Sequence, residues 1–165
     1  MLDLRQQLQA SLGGRVCLMG LGNQDYGDDA AGIRLAEELI AAGVPDVMIA
    51  GNRPEACLGR AAGEGFAHLV FLDAVEFGGA PGAVVWLDSA AMISRYPQIS
   101  THKISLGLLA RWAEANGVTR AWLLGMQPES LRAGAPLSAP LEITVAALKE
   151  LWQELKPSMA DGKAC

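Results

Sequence analysis

The chain has 165 residues and a mass of 17.3 kDa, which suits one domain, because two separate cores would be small at this length. Hydrophobic residues make up 51% and charged residues 19%, with a mean hydropathy of +0.22, enough apolar material for a packed core and too much for global disorder. With 13 Lys and Arg against 18 Asp and Glu the formal charge is −5, so no basic excess exists to neutralise phosphates and nucleic acid is not an expected partner.

Residues 1–13 form an N-terminal extension with helical potential. Its first residues, Met1 to Gln7, lack the basic-then-apolar order of a secretion signal. Arg15 to Gly20 is a short apolar run closed by glycine, the mark of a buried parallel strand. Ile33, Leu35, Ala36, Leu39 and Ile40 recur at helical spacing until Gly43 and Pro45 stop the helix. Val47 to Ala50 is the second strand, Cys57 to Ala62 a short helix, Leu69 to Asp73 the third strand and Ala83 to Leu87 the fourth. Ile104, Leu108 and Trp112, with Leu109 beside them, make the apolar face of a helix ending near Gly117. Arg120 to Leu124 is the fifth strand. Leu141, Val145, Leu148, Trp152 and Leu155 line a final helix with Ser138 as its N-cap. Residues 157–165 are expected to be a loose tail.

Strands separated by helices imply a single α/β domain: a five-stranded, mostly parallel twisted sheet with helices on both faces. No apolar run reaches the roughly 18 residues that span a bilayer, so no membrane association is expected. Cys17, Cys57 and Cys165 are odd in number and far apart, which argues against a disulfide framework and makes a reducing cytoplasm the default location.

In such sheets ligands gather at the carboxyl ends of the strands. The first strand is followed by Gly20-Leu21-Gly22-Asn23-Gln24-Asp25-Tyr26-Gly27-Asp28-Asp29-Ala30-Ala31-Gly32. A dinucleotide fingerprint fails here, because Asp25 holds the third glycine position and Ala50-Gly51-Asn52 ends the second strand without an acidic ribose ligand. There is no P-loop, HExxH or GxSxG motif, and Cys17 lies inside a strand where a thiol is usually inert. Of the aspartate pair, Asp28 is expected to cap the helix and Asp29 to turn into the cleft. Asp73 ends an otherwise apolar strand at the expected site. His68 opens the same strand at the opposite edge and is expected to be structural or at the surface. His102, in Ser100-Thr101-His102-Lys103, leads into the helix after the fourth strand. Asp29, Asp73 and His102 thus fall in loops at one edge, and two carboxylates with one imidazole suit a divalent transition metal such as nickel, zinc or cadmium.

The order of these pieces resembles the hydrogenase maturation endopeptidases. The matching stretches are Gly20-Leu21-Gly22-Asn23 with Asp28-Asp29 and Gly32, Asp73-Ala74 with Gly78 and Pro81-Gly82, Thr101-His102, Leu124 to Glu129, and Leu137-Ser138-Ala139-Pro140; Gly51 to Glu55 resembles the family's loop after strand two. The resemblance runs from about residue 15 to 155. It implies a protease that recognises nickel in the precursor large subunit of a nickel-iron hydrogenase and removes its C-terminal extension; a monomer that docks transiently is the default expectation. It also implies Asp29, Asp73 and His102 as the residues that bind the metal and carry the reaction, whether aspartate- or metal-driven. Many relatives carry an Asp near the end of strand two where this chain has Ala50, so that role is missing or passes to Glu55. Two other functions fit the same pieces: a nickel-checking chaperone that never cuts the precursor, and a small-molecule metallohydrolase.

Overall fold

The computed structural model describes residues 3–94 and 105–159. An unbroken apolar succession makes Val16–Leu21 (β1) a strand buried along its whole length. Val47–Gly51 (β2), His68–Ala74 (β3), Val84–Asp88 (β4) and Arg120–Met126 (β5) complete one sheet in the order β2-β1-β3-β5-β4. Neighbours run parallel except β4, which lies antiparallel to β5 at the edge. Residues 75–83 are too few for a parallel crossover, which takes about a dozen residues or more, so β4 must turn back.

Side-chain alternation divides the core into two layers. Val16, Leu18, Val70, Leu72, Leu124 and Met126 face one side, which is covered by Leu4–Ser11 (α1), Ala31–Ala41 (α2) and Ala139–Met159 (α6). Cys17, Met19, Leu21, Leu69, Phe71 and Leu123 face the other, covered by Pro54–Gly63 (α3), Ser89–Ser94 (α4) and Leu106–Ala115 (α5). Each fully buried Leu or Phe in these layers contributes roughly 1.5–3 kcal/mol.

The N-terminal extension is an integral helix. Asp3 and Gln6 form a reciprocal capping box at its start, with Gln6 N–H donating to Asp3 Oδ1 at 2.8 Å. Leu8 is fully buried and Trp86 Nε1 donates to Ser11 Oγ at 3.2 Å. The helix α3 starts earlier than the apolar spacing suggests, because Pro54 is preorganised for a first helical position. At the other end α6 continues to Met159 and takes in residues 157–159 of the expected tail.

One helix is additional to those expected, and one expected helix face changes. The short helix α4 carries too few residues to show a period. In α5 the expected face is kept only at Leu109, which is buried: Leu108 is 60% and Trp112 44% exposed, Leu106, Ala110 and Ala113 are buried in their place, and Ile104 lies outside the described residues. That second stripe also has helical spacing, and its alanines let the helix approach the sheet closely, which the larger pair would prevent. Ile40, at the end of α2, is likewise 47% exposed. Among the described residues no helix is long and apolar enough to cross a membrane.

Candidate functional site

The chain leaves β1 toward β2 on one side and leaves β3 toward β5 and β4 on the other. The strand order therefore reverses between β1 and β3, and the crevice at their carboxyl ends is where this architecture binds ligands. Asp29 follows β1 and Asp73 is the penultimate residue of β3, so the structure brings both to this crevice.

Asp29 sits in a single turn of 3-10 helix, Gly27–Ala30, and its Oδ2 accepts the Asn23 N–H at 3.0 Å. Two glycines make the turn possible. Gly22 has φ 126°, and a Cβ there would lie 1.8 Å from the Asp29 carbonyl oxygen. A Cβ on Gly32 would stand 2.1 Å from Leu72 O and 2.5 Å from Leu21 O. Gly32 thus lets the first turn of α2 press between the tips of β1 and β3. Asp73 continues the Leu69–Phe71 row on the α3–α5 side and is only 2% exposed.

His102 lies outside the described residues. Its neighbour along the chain, Ser105, caps α5, with Oγ accepting the Leu108 N–H at 3.3 Å. The opposite end of α5 lies at the amino edge of the sheet, where Glu114 accepts the Ala121 N–H at 3.0 Å and the Ser89 hydroxyl at 2.9 Å. The capped start of α5 therefore points toward the edge that holds Asp29 and Asp73. Among the described residues no three His, Cys, Asp or Glu side chains form a metal-ligand group; these contribute two of the expected three.

Asp28 does not cap the helix that follows; neither the 3-10 turn nor α2 has a side-chain cap. Its fully buried carboxylate reaches across the fold instead. Oδ2 accepts from Glu129 N–H at 2.8 Å, Ser130 N–H at 3.2 Å and the Ser138 hydroxyl at 2.7 Å, and Oδ1 accepts from Ser138 N–H at 2.7 Å. Burial pushes this carboxyl up, but the bonds from Ser138, Glu129 and Ser130 override that push and hold it below its ordinary value. Asp28 thus binds the Asp29 turn to the loop ahead of α6. Ser138 does occupy the N-cap position, since its carbonyl accepts the Glu142 N–H at 2.9 Å, but its hydroxyl serves Asp28.

A second clamp holds the loop after Asp73. Buried Gln127 accepts Phe77 N–H at 3.0 Å and Gly79 N–H at 3.2 Å through Oε1, and donates through Nε2 to Glu76 at 2.6 Å. Neither brace has a local signal, because each joins segments far apart in the chain. Glu55 stands in the first turn of α3, exposed, 3.8 Å from Arg53 Nε. Of the two expected roles for His68 the structural one holds: its Nδ1 accepts the Trp122 indole N–H at 3.0 Å, and burial followed by the Arg120 charge lowers its pKa.

The family model for HycI, hydrogenase maturation protease, matches residues 33–154. Among solved structures, the [NiFe] hydrogenase maturation protease HycI of Thermococcus kodakarensis KOD1 is 30% identical, with a TM-score of 0.76, covering 87% of this chain and 92% of its own. The hydrogenase maturating endopeptidase HybD of Escherichia coli is 25% identical, with a TM-score of 0.67 and coverage of 87% and 93%. The Escherichia coli endopeptidase HycI, at 24% identity, shares the fold with a TM-score of 0.76 and coverage of 86% and 90%. No curated protein matches the chain. A family match over residues 33–154, on a sheet whose switch point holds two carboxylates, places the chain in the hydrogenase maturation protease family.

Proposed function

We propose that this protein is the endopeptidase that removes the C-terminal extension from the precursor large subunit of a nickel-iron hydrogenase, after nickel has been installed there. What supports the proposal is the position of Asp29 after β1 and of Asp73 at the end of β3, on either side of the switch point, in a member of this family. Two carboxylates and the imidazole of His102 are oxygen and nitrogen donors of the kind a divalent transition ion accepts, and zinc or cadmium fits the same set. The nickel arrives with the precursor, as part of the substrate.

Asp73, nearly dry at 2% exposure, has a rigid strand behind it and serves as an orienting ligand. Asp29, on a more open turn, both engages the nickel and takes the proton of the water that attacks the scissile carbonyl. Nickel, when present, supplies positive charge that fixes the precursor and stabilises developing negative charge. Three cysteines, odd in number and far apart in the sequence, support action in the cytoplasm, and an interface needed only until the bond is cut supports a monomer that docks transiently.

Intact mass spectrometry of nickel-loaded and nickel-free precursors, before and after incubation with the protein, tests this function. The expected result is loss of a C-terminal fragment from the loaded precursor alone, abolished by Asp29→Asn or His102→Ala in folded protein. Stable binding without a mass change would instead assign the protein as a non-cutting nickel-checking chaperone.

A further inference from the structure

On the far side of the Asp29 turn lies a cavity of about 280 Å³, walled by the 3-10 turn, the outer side of α2 and residues 135–137. Its lining is mainly polar, carrying Gln24, Arg34 and Glu37, with a smaller apolar part from Ile33 and Leu137. We propose that this cavity seats a lysine or arginine side chain of the hydrogenase precursor, taken from the segment next to the cleaved bond. The proposal rests on the endopeptidase function above and adds the determinant that selects the substrate.

Position is the first argument. Four residues of 3-10 helix at about 2 Å each span about 8 Å, and an extended peptide covers about 3.3 Å per residue. A segment whose scissile bond lies at Asp29 therefore reaches the cavity two or three residues away. Rigidity is the second. The two walls are locked together by the Asp28 carboxylate and by the Gly134 N–H, which donates to Asp25 O at 2.8 Å. A pocket fixed before binding loses little entropy when it is filled.

Charge and shape select the occupant. Arg34 is already turned to Glu142, at 3.4 Å. Glu37 accepts from the neutral Gln24 amide at 3.2 Å, and among the described residues it has no cation within ion-pair distance. The rim therefore keeps one carboxylate without an ion-pair partner, in a mainly polar lining whose smaller apolar part comes from Ile33 and Leu137. A long aliphatic stem with a cationic tip satisfies both, the stem against Ile33 and Leu137 and the tip on Glu37. The net charge of −5 on the whole chain favours the same encounter.

The test measures the affinity of the full-length protein for the full-length nickel-loaded precursor by titration calorimetry, with cleavage followed in parallel by intact mass. Glu37 is exposed on a helix, so Glu37→Lys folds. It is expected to raise Kd about tenfold or more. One precursor variant, with a single Lys or Arg near the cleaved bond changed to Glu, is expected to lose a similar factor. Pairing that precursor with Glu37→Lys is expected to restore most of the loss. Unchanged Kd for Glu37→Lys while the precursor is still cut overturns the pocket and leaves the endopeptidase standing. Glu37-dependent binding without any cleavage supports the pocket and overturns the endopeptidase.

Discussion

Asp28 and Asp29 are chemically identical neighbours with opposite environments. Asp28 is fully buried and takes four hydrogen bonds from three residues, whereas Asp29 is partly open. Asp28→Ala leaves those donors without an anion and is expected to cost about 3 kcal/mol or more in urea unfolding. The sign of its pH dependence follows from the lowered pKa. The unfolded chain takes up the proton first on acidification. The stability that Asp28 contributes is therefore complete above the ordinary carboxylate range and is lost as pH falls through the lowered folded value. Unfolding of the wild type and Asp28→Ala, compared at neutral and strongly acid pH, should show the gap closing. Gly32→Ala tests the packing behind the site, because its Cβ would meet two backbone carbonyl oxygens at 2.1 and 2.5 Å. About 3 kcal/mol of destabilisation is expected, read as a fall in Tm.

Helix α5 separates the two things a sequence period encodes, the existence of a helix and its phase. Leu106, Leu109, Ala110 and Ala113 make one stripe, and Leu108 with Trp112 makes another nearly opposite; helical spacing fits both. Only tertiary packing decides between them, and the sheet selects the stripe with small residues. Leu109→Ala is accordingly expected to cost about 2–4 kcal/mol, and Leu108→Gln less than about 0.5 kcal/mol, in parallel urea titrations. Strands are more legible because a run such as Leu69 to Leu72 is apolar on both faces and needs no phase. The base of β3 supplies another pH signature. His68 accepts from Trp122, which stacks on Trp86 at 4.8 Å between ring centroids. Since the fold holds this imidazole below its ordinary pKa, its contribution is intact above the ordinary imidazole range and declines as pH drops below it. Tm measured from pH 8 to 5 should fall more steeply in the wild type than in His68→Gln.

For the whole molecule, alternating strand and helix signals make the α/β class and the carboxyl edge legible. The locations of Asp29 and Asp73 follow from that topology without any side-chain geometry. The braces do not, because Asp28 meets Ser138 and Gln127 meets Phe77 through contacts between distant segments. The N-terminal helix shows the same limit: only tertiary contact reveals that fully buried Leu8 belongs to the core. Leu8→Ala is expected to lower stability by about 2–4 kcal/mol, measured by urea unfolding. The Asp28 brace also imposes an order in time. A nascent chain carries its aspartate pair early, yet the partners at 129, 130 and 138 emerge from the ribosome roughly a hundred residues later, at about 5–20 residues per second. Until then the carboxylate stays hydrated and the 3-10 turn has nothing to close against. Under the proposed function, proteolytic competence is thereby withheld from incomplete chains, and a ribosome-stalled product ending before Ser138 carries both aspartates without the partners that brace the turn between them.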